Sequence, residues 1–266
     1  MQSTLLLLLV ASFGQAGEVH QDFRKGGKLH PGLSVFGPNV NRTVRHGRSG
    51  LRITLPRNRE DTGAVGIEPQ FSVSGDFEIT LDYEILSADN PKSGMGAGVK
   101  IWTKLASEEF KALTLAHVIT ADEESRLVPI LAQSKDGQRG FSSNPRTATG
   151  QGGRLRLTRT GSDVSFLVAE GESHEFEELQ RETVGTEDLA ALRISAGTAN
   201  DPCGLRVVFH DLRIRAANLP AVSAPTKRSK PLRTWLVIGG AVAAVGGAVA
   251  AVGGAGAWYW WKRQRR

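Results

Sequence analysis

Apolar and polar residues alternate with a period of two through much of residues 50–215, and long helical periodicity is scarce. The pattern is clearest at 75–86. There Phe77, Ile79, Leu81, Tyr83 and Ile85 take one face, and Glu78, Thr80, Asp82 and Glu84 take the other. Similar runs occur at 50–56, stopping at Pro56, and at 98–102, 111–119 and 127–132. The runs 153–159 and 164–168 flank Thr160-Gly-Ser-Asp163, which predicts a β-hairpin with its turn. Further strands are expected at 193–196 and 205–210, with 211–215 closing the domain. A helix-start signal at Thr186 predicts a single turn over 186–192. About ten to twelve short strands separated by turn residues predict an all-β, two-sheet antiparallel sandwich, a jelly roll. Its first and last strands should pair, because domain termini tend to lie close together.

The two ends do not belong to that pattern. Residues 1–16 combine the apolar run from Leu5 to Val10 with Gly14-Gln15-Ala16, a small-x-small cleavage site, and read as a signal peptide. The run is too short to span a bilayer, which needs about 20 residues. Residues 235–261 contain no charge, begin at Trp235 and end in Trp258-Tyr259-Trp260-Trp261. At ~1.5 Å per residue they reach about 40 Å, enough for a single transmembrane helix with some tilt. The aromatic ends suit the two interfaces, and Lys and Arg flank both sides. Paired glycines recur at a heptad spacing: Gly239 and Gly240, Gly246 and Gly247, Gly253 and Gly254. Such spacing keeps them on one face, with about 20° of drift per repeat. That face permits close helix–helix contact and makes a homo-oligomer a candidate assembly.

The expected organisation is therefore a signal peptide at 1–16, a β-sandwich ectodomain at 17–216, a Pro- and Lys-containing linker at 217–234, the span at 235–261 and a basic tail at 262–266. Four basic residues lie on each side of the span, so charge alone does not orient it. The signal peptide does: the domain is expected outside the cytoplasmic membrane and the tail inside.

The net charge of +6 belongs to these flanks. Of 33 Lys and Arg, eight follow Ala217, leaving 25 against 27 acids. That is poor material for a nucleic-acid partner, which needs a basic stripe on the folded domain. The six arginines from Arg42 to Arg59 read as a solvated, salt-bridged face. A single cysteine, Cys203, excludes an intrachain disulfide and reads as a small, partly buried turn residue.

Several segments together resemble a known family: Gly50-Leu-Arg-Ile-Thr-Leu-Pro56, the strand 75–86, Gly94-Met-Gly-Ala-Gly98, Gly153-Arg-Leu-Arg-Leu-Thr-Arg-Thr-Gly161 and Leu212-Arg-Ile-Arg-Ala216. This set resembles an uncharacterised bacterial exported family with a concanavalin-A-like or laminin-G-like jelly roll. It is distantly similar to 3-keto-disaccharide hydrolase domains. The resemblance spans about residues 20–217, and it implies a lectin-like fold without supplying an activity.

Related jelly-roll glycosidases carry a Glu-x-Asp-x-Glu strand, and the corresponding residues here are Thr80, Asp82 and Glu84. Asp82 and Glu84 are the candidate catalytic carboxylates, neighbours on one face about 6.5–7 Å apart along the strand. The expected nucleophile position is a threonine, so a solvated charged face is the competing reading of the pair. Trp102 is the ligand-binding candidate: core packing is its first expectation, and an exposed ring would offer a stacking platform for sugars. His117 reads as a satisfied sheet residue. The six histidines lack zinc spacing, and Gly94–Gly98 is not followed by a helix. No cofactor is expected. The acidic run 170–188 makes calcium the one ion to consider, although it lacks the ordered oxygen spacing of a calcium loop. The functional expectation is a membrane-anchored, non-catalytic module binding carbohydrate or a protein partner. The alternatives are a glycan-acting enzyme using the Asp82/Glu84 face and a scaffold self-associating through its glycine-rich helix.

Overall fold

The computed structural model describes residues 17–219 except residue 136. In chain order the strands are β1 (Gly17–Asp22), β2 (Leu33–Phe36), β3 (Val44–Gly47), β4 (Gly50–Leu55), β5 (Val65–Pro69), β6 (Ser74–Ala88), β7 (Ala97–Leu105) and β8 (Lys111–Ile119). Then come β9 (Ser125–Lys135), β10 (Gln138–Ser142), β11 (Arg146–Thr147), β12 (Gly152–Thr160), β13 (Asp163–Glu170), β14 (Glu177–Thr183), β15 (Leu189–Gly197) and β16 (Leu205–Asn218). The described helical segments are the single turns Val40–Thr43 and Phe23–Lys25.

The strands form two eight-stranded sheets. Sheet I has the order β14-β13-β12-β6-β16-β4-β3, with β1 also on β16. Sheet II has the order β10-β9-β8-β7-β15-β5-β2, with β11 also on β9. Every pairing is antiparallel. The all-β, two-sheet sandwich read from the alternation is the fold, and β1 pairs with β16 from Gly17–Ala216 to Asp22–Asp211.

The core lies between the sheets. β6 contributes Phe77, Ile79, Leu81, Tyr83 and Ile85, as its alternation requires. Leu155 and Leu157 of β12, Val99 and Ile101 of β7, and Leu192 and Ile194 of β15 join them. Each such side chain contributes roughly 1.5–3 kcal/mol by leaving water. In β16 the inward set is Leu205, Val207 and Phe209, then Leu212, Ile214 and Ala216. The change of parity is absorbed by a bulge between Phe209 and Asp211. One long strand therefore replaces the two runs expected at 205–210 and 211–215, and it continues two residues past the expected boundary at 216.

Two local expectations are corrected. Residues 186–188 form no helical turn, and β15 starts at Leu189. Their polar groups are taken by tertiary partners: the Asp188 carboxylate accepts from the Gly75 N–H, and the Glu187 carbonyl accepts from the buried Arg159. Trp102 is not in the core. It sits half-buried on the outer face of sheet II, because Ile101 and Thr103 occupy the inward positions.

The expected signal peptide (1–16), the span (235–261) with its paired glycines, the basic tail (262–266) and linker residues 220–234 lie outside the described residues. Among the described residues no helix is long and apolar enough to cross a membrane.

Candidate functional site

The outer face of sheet I carries the charges that alternation pushed out of the core. Asp82 accepts from Arg24 Nη2 at 3.1 Å and lies 3.7 Å from Arg154 Nε. Glu78 is held between Arg156 and Arg215 at 3.4 and 3.5 Å. Glu84 faces His210 at 3.6 Å. Where the glycosidase strand has its nucleophile, the Thr80 hydroxyl accepts from Arg156 Nε at 2.9 Å. The two candidate carboxylates differ in setting: the Asp82 side chain is 18% exposed and that of Glu84 is 51% exposed. A retaining glycosidase needs a free nucleophile and a protonated acid facing one bond. Here Asp82 is paired with Arg24 and Arg154, Glu84 is half-exposed with His210 3.6 Å away, and a threonine holds the nucleophile position.

A depression of about 270 Å³ opens on the same face, where β12, β13 and β14 run side by side. The hairpin register sets Thr158 opposite Ser165 and Arg156 opposite Leu167. On β14 the register shifts between Phe166 and Leu167, so Gln180 and Glu178 meet consecutive residues and Leu179 is left over. This bulge turns Leu179 toward the core and brings Glu178 and Arg181, three apart, onto one face. There Arg181 donates to Glu178 through Nη2 at 2.7 Å and Nε at 3.1 Å. The Arg181 and Ser165 hydrogen bonds hold the Glu178 carboxyl below the usual range. Arg156 is fixed in turn by Thr80, Glu78 and the Phe176 ring, whose centroid lies 3.8 Å from its guanidinium carbon.

Thr158, Thr160 and Ser165 supply hydroxyls to this depression, Asp163 and Glu178 supply acceptors, and Leu167 supplies an apolar patch. Donors, acceptors and hydroxyls are thus gathered on one shallow, open surface. The volume falls just below the ~300–1,000 Å³ of enclosed small-molecule clefts. Neither Asp82 nor Glu84 lines the depression, and neither does Trp102. The sequence runs that contain these lining residues read only as a hairpin and an acidic stretch. The bulge that creates the site leaves no signature in residue type.

Between the sheets a polar chain runs from the buried Tyr83 and His117 to the half-buried Ser125. The Tyr83 hydroxyl meets His117 Nδ1 at 2.6 Å, and His117 Nε2 meets the Ser125 hydroxyl at 2.7 Å. Burial pushes the imidazole down to about 4. His117 is thus a satisfied sheet residue. The thiol of Cys203, in the loop before β16, is buried and pushed up by desolvation. In the acidic run, burial works to raise Glu170, but the Thr149 N–H and hydroxyl and Arg146 outweigh it and hold the carboxyl low. Glu187 pairs with Lys111. Among the described residues no cluster of His, Cys, Asp or Glu is arranged to hold a metal ion.

A family profile described as "Protein of unknown function (DUF1583) C domain" matches residues 11–234. No curated protein matches the chain. Among solved structures, an apo Crh5 transglycosylase is similar at 14% identity and a TM-score of 0.51, over 76% of this chain and 85% of that one. A Bacteroides ovatus protein described as Xyloglucan PUL GH43B is similar at 11% identity and a TM-score of 0.50, over 74% of this chain and 39% of that one. At these identities the likeness establishes the jelly-roll fold.

Proposed function

We propose that this chain, which belongs to the DUF1583 C-domain family, is a non-catalytic module that binds a neutral glycan on the outer face of sheet I. The observation that carries this reading is the β12–β14 depression, with its hydroxyls, fixed guanidiniums and charged acceptors around Leu167. Arg156, Arg181, Glu178 and Asp163 there have side-chain partners that orient them, and an open surface of that size accepts one ring of a longer saccharide. The fold supports the reading in a general way, because the similar structures bear the names of a transglycosylase and of Xyloglucan PUL GH43B.

The test is calorimetric titration of the full chain with a panel of neutral oligosaccharides. Binding by at least one, weakened tenfold or more by Arg181→Ala and by Ser165→Leu, is the expected result. Absence of binding across the panel, or affinity indifferent to both substitutions, refutes the reading. Glycan turnover abolished by Asp82→Asn would replace it with the enzymatic one.

We further propose that the module is displayed outside the cytoplasmic membrane by residues 235–261, whose paired glycines associate copies of the chain. The support is the uncharged length of that segment and its aromatic and basic flanks. Protease added to intact cells should digest the module. Digestion confined to opened cells refutes the display.

A further inference from the structure

The two outer faces of the sandwich differ in character. Around Trp102, the charges of sheet II are cationic: Lys100, Lys104 and Arg193. Thr114 lies directly opposite Trp102 on β8, and Ile130 lies opposite Thr114 on β9. Ala116 and Ser195, which flank Lys100 across the sheet, are buried beneath the larger side chains. Along β7 the outward positions are Lys100, Trp102 and Lys104, so a lysine stands on either side of the tryptophan, with Cα positions about 6.5–7 Å away along the strand. Neither lysine has a hydrogen bond or an ion pair among the described residues. Lys100 is partly buried, and desolvation together with the neighbouring Arg193 disfavours its charge. Arg193, opposite Trp102 on β15, gives one nitrogen to Glu68 at 3.2 Å and lies over the Phe36 ring.

We infer that Lys100, Trp102 and Lys104 form a second binding site, which takes an acidic polysaccharide with its pyranose rings flat on Trp102 and its carboxylates at the two lysines. An ammonium that has lost water without gaining an anion is a cost in the free protein, and an arriving carboxylate turns that cost into binding energy. The indole offers an apolar face to the C–H side of a sugar ring. An acidic peptide suits the site less well. β7 is bonded on both sides, to β8 and β15, so no strand can be added to it. The basic residues at 227–233 of the chain itself carry the same sign as the site and would be repelled.

This site lies on the opposite sheet from the β12–β14 depression and stands or falls separately. The full chain is titrated by calorimetry with oligogalacturonate, with its carboxyl-reduced neutral counterpart and with polyglutamate. The expected outcome is binding of oligogalacturonate alone, weakened by added salt. Trp102→Ala should reduce the affinity at least tenfold. Lys100→Gln and the exposed Lys104→Gln should each reduce it several-fold and flatten the salt dependence, whereas Arg181→Ala should leave it unchanged. Equal binding of the neutral oligosaccharide by the Arg181→Ala variant, preference for polyglutamate, or affinity untouched by Trp102→Ala and Lys104→Gln would overturn the inference.

Discussion

Acidification from pH 7 to 5 should weaken the sandwich through one side chain, His117. The residue is 1% exposed, and its ring is held between Tyr83 and Ser125. Burial lowers its folded value from 6.5 to about 4. The unfolded chain therefore takes up a proton near pH 6.5 that the folded chain refuses until near pH 4. Between those values the unfolded state binds more protons, so stability falls as pH falls. At about 1.36 kcal/mol for each pH unit, the complete loss is roughly 3 kcal/mol, and about two-thirds of it is reached by pH 5. The carboxylates held low by their partners, such as Glu178 and Asp89, contribute stability that is lost as pH falls below their ordinary values of 4.5 and 3.8 toward their depressed folded ones. They leave the upper part of the window to His117. Urea unfolding followed by far-ultraviolet circular dichroism at pH 7, 6 and 5 measures the slope. His117→Leu should lower stability at pH 7 by about 1–3 kcal/mol, because the buried Tyr83 hydroxyl loses its partner, and should remove the slope above pH 5. A wild-type stability that is level from pH 6.5 to 5, or a variant with an undiminished slope, would refute the reasoning.

Three further outcomes follow from the same geometry. Arg159→Met strips the buried guanidinium from the carbonyls of Gly75 and Glu187; it should cost about 2–4 kcal/mol in the same urea assay, two orphaned acceptors being the cause. Gly98→Ala places a Cβ 2.0 Å from the His117 carbonyl oxygen; hydrogen exchange should show the β7–β8 ladder opening first. The Cys203 thiol, buried and raised by desolvation, should resist alkylation at pH 7 until denaturant is added, as mass spectrometry of the iodoacetamide-treated chain would reveal.

The strands whose two faces meet different surroundings are legible in the sequence. β6 shows this best: apolar residues lie against the core and charged ones toward water. The β12–β13 hairpin is equally plain, because its turn residues interrupt two alternating runs. The edge strand β14 reads only as an acidic stretch, because a strand with one neighbour buries little and can be polar throughout. The bulges at Leu179 and at His210–Asp211 are hidden for a different reason. They change which residues share a face without changing residue type. That is why the β12–β14 depression has no sequence signal and why the alternation splits β16 in two. Trp102 is instructive because the signal is present: it shares its parity with Lys100 and Lys104, and Val99 and Ile101 claim the core. Residue type argues for burying the indole and parity argues for exposing it, and in the sheet parity prevails. At Thr186 a local helix-start pattern loses to distant partners, since Arg159 and the Gly75 N–H claim the Glu187 carbonyl and the Asp188 carboxylate that a helical turn would have used.

The placement of β16 bears on how the molecule responds to mechanical load. This strand is flanked by β6 along its length on one side, and by β4 and then β1 on the other. Tension entering at residue 218 would run along the strand axis, across hydrogen bonds that lie perpendicular to it. The three ladders would have to shear together instead of unzipping one bond at a time. A pull on residue 218 directed along β16 thus loads the β6, β4 and β1 ladders together.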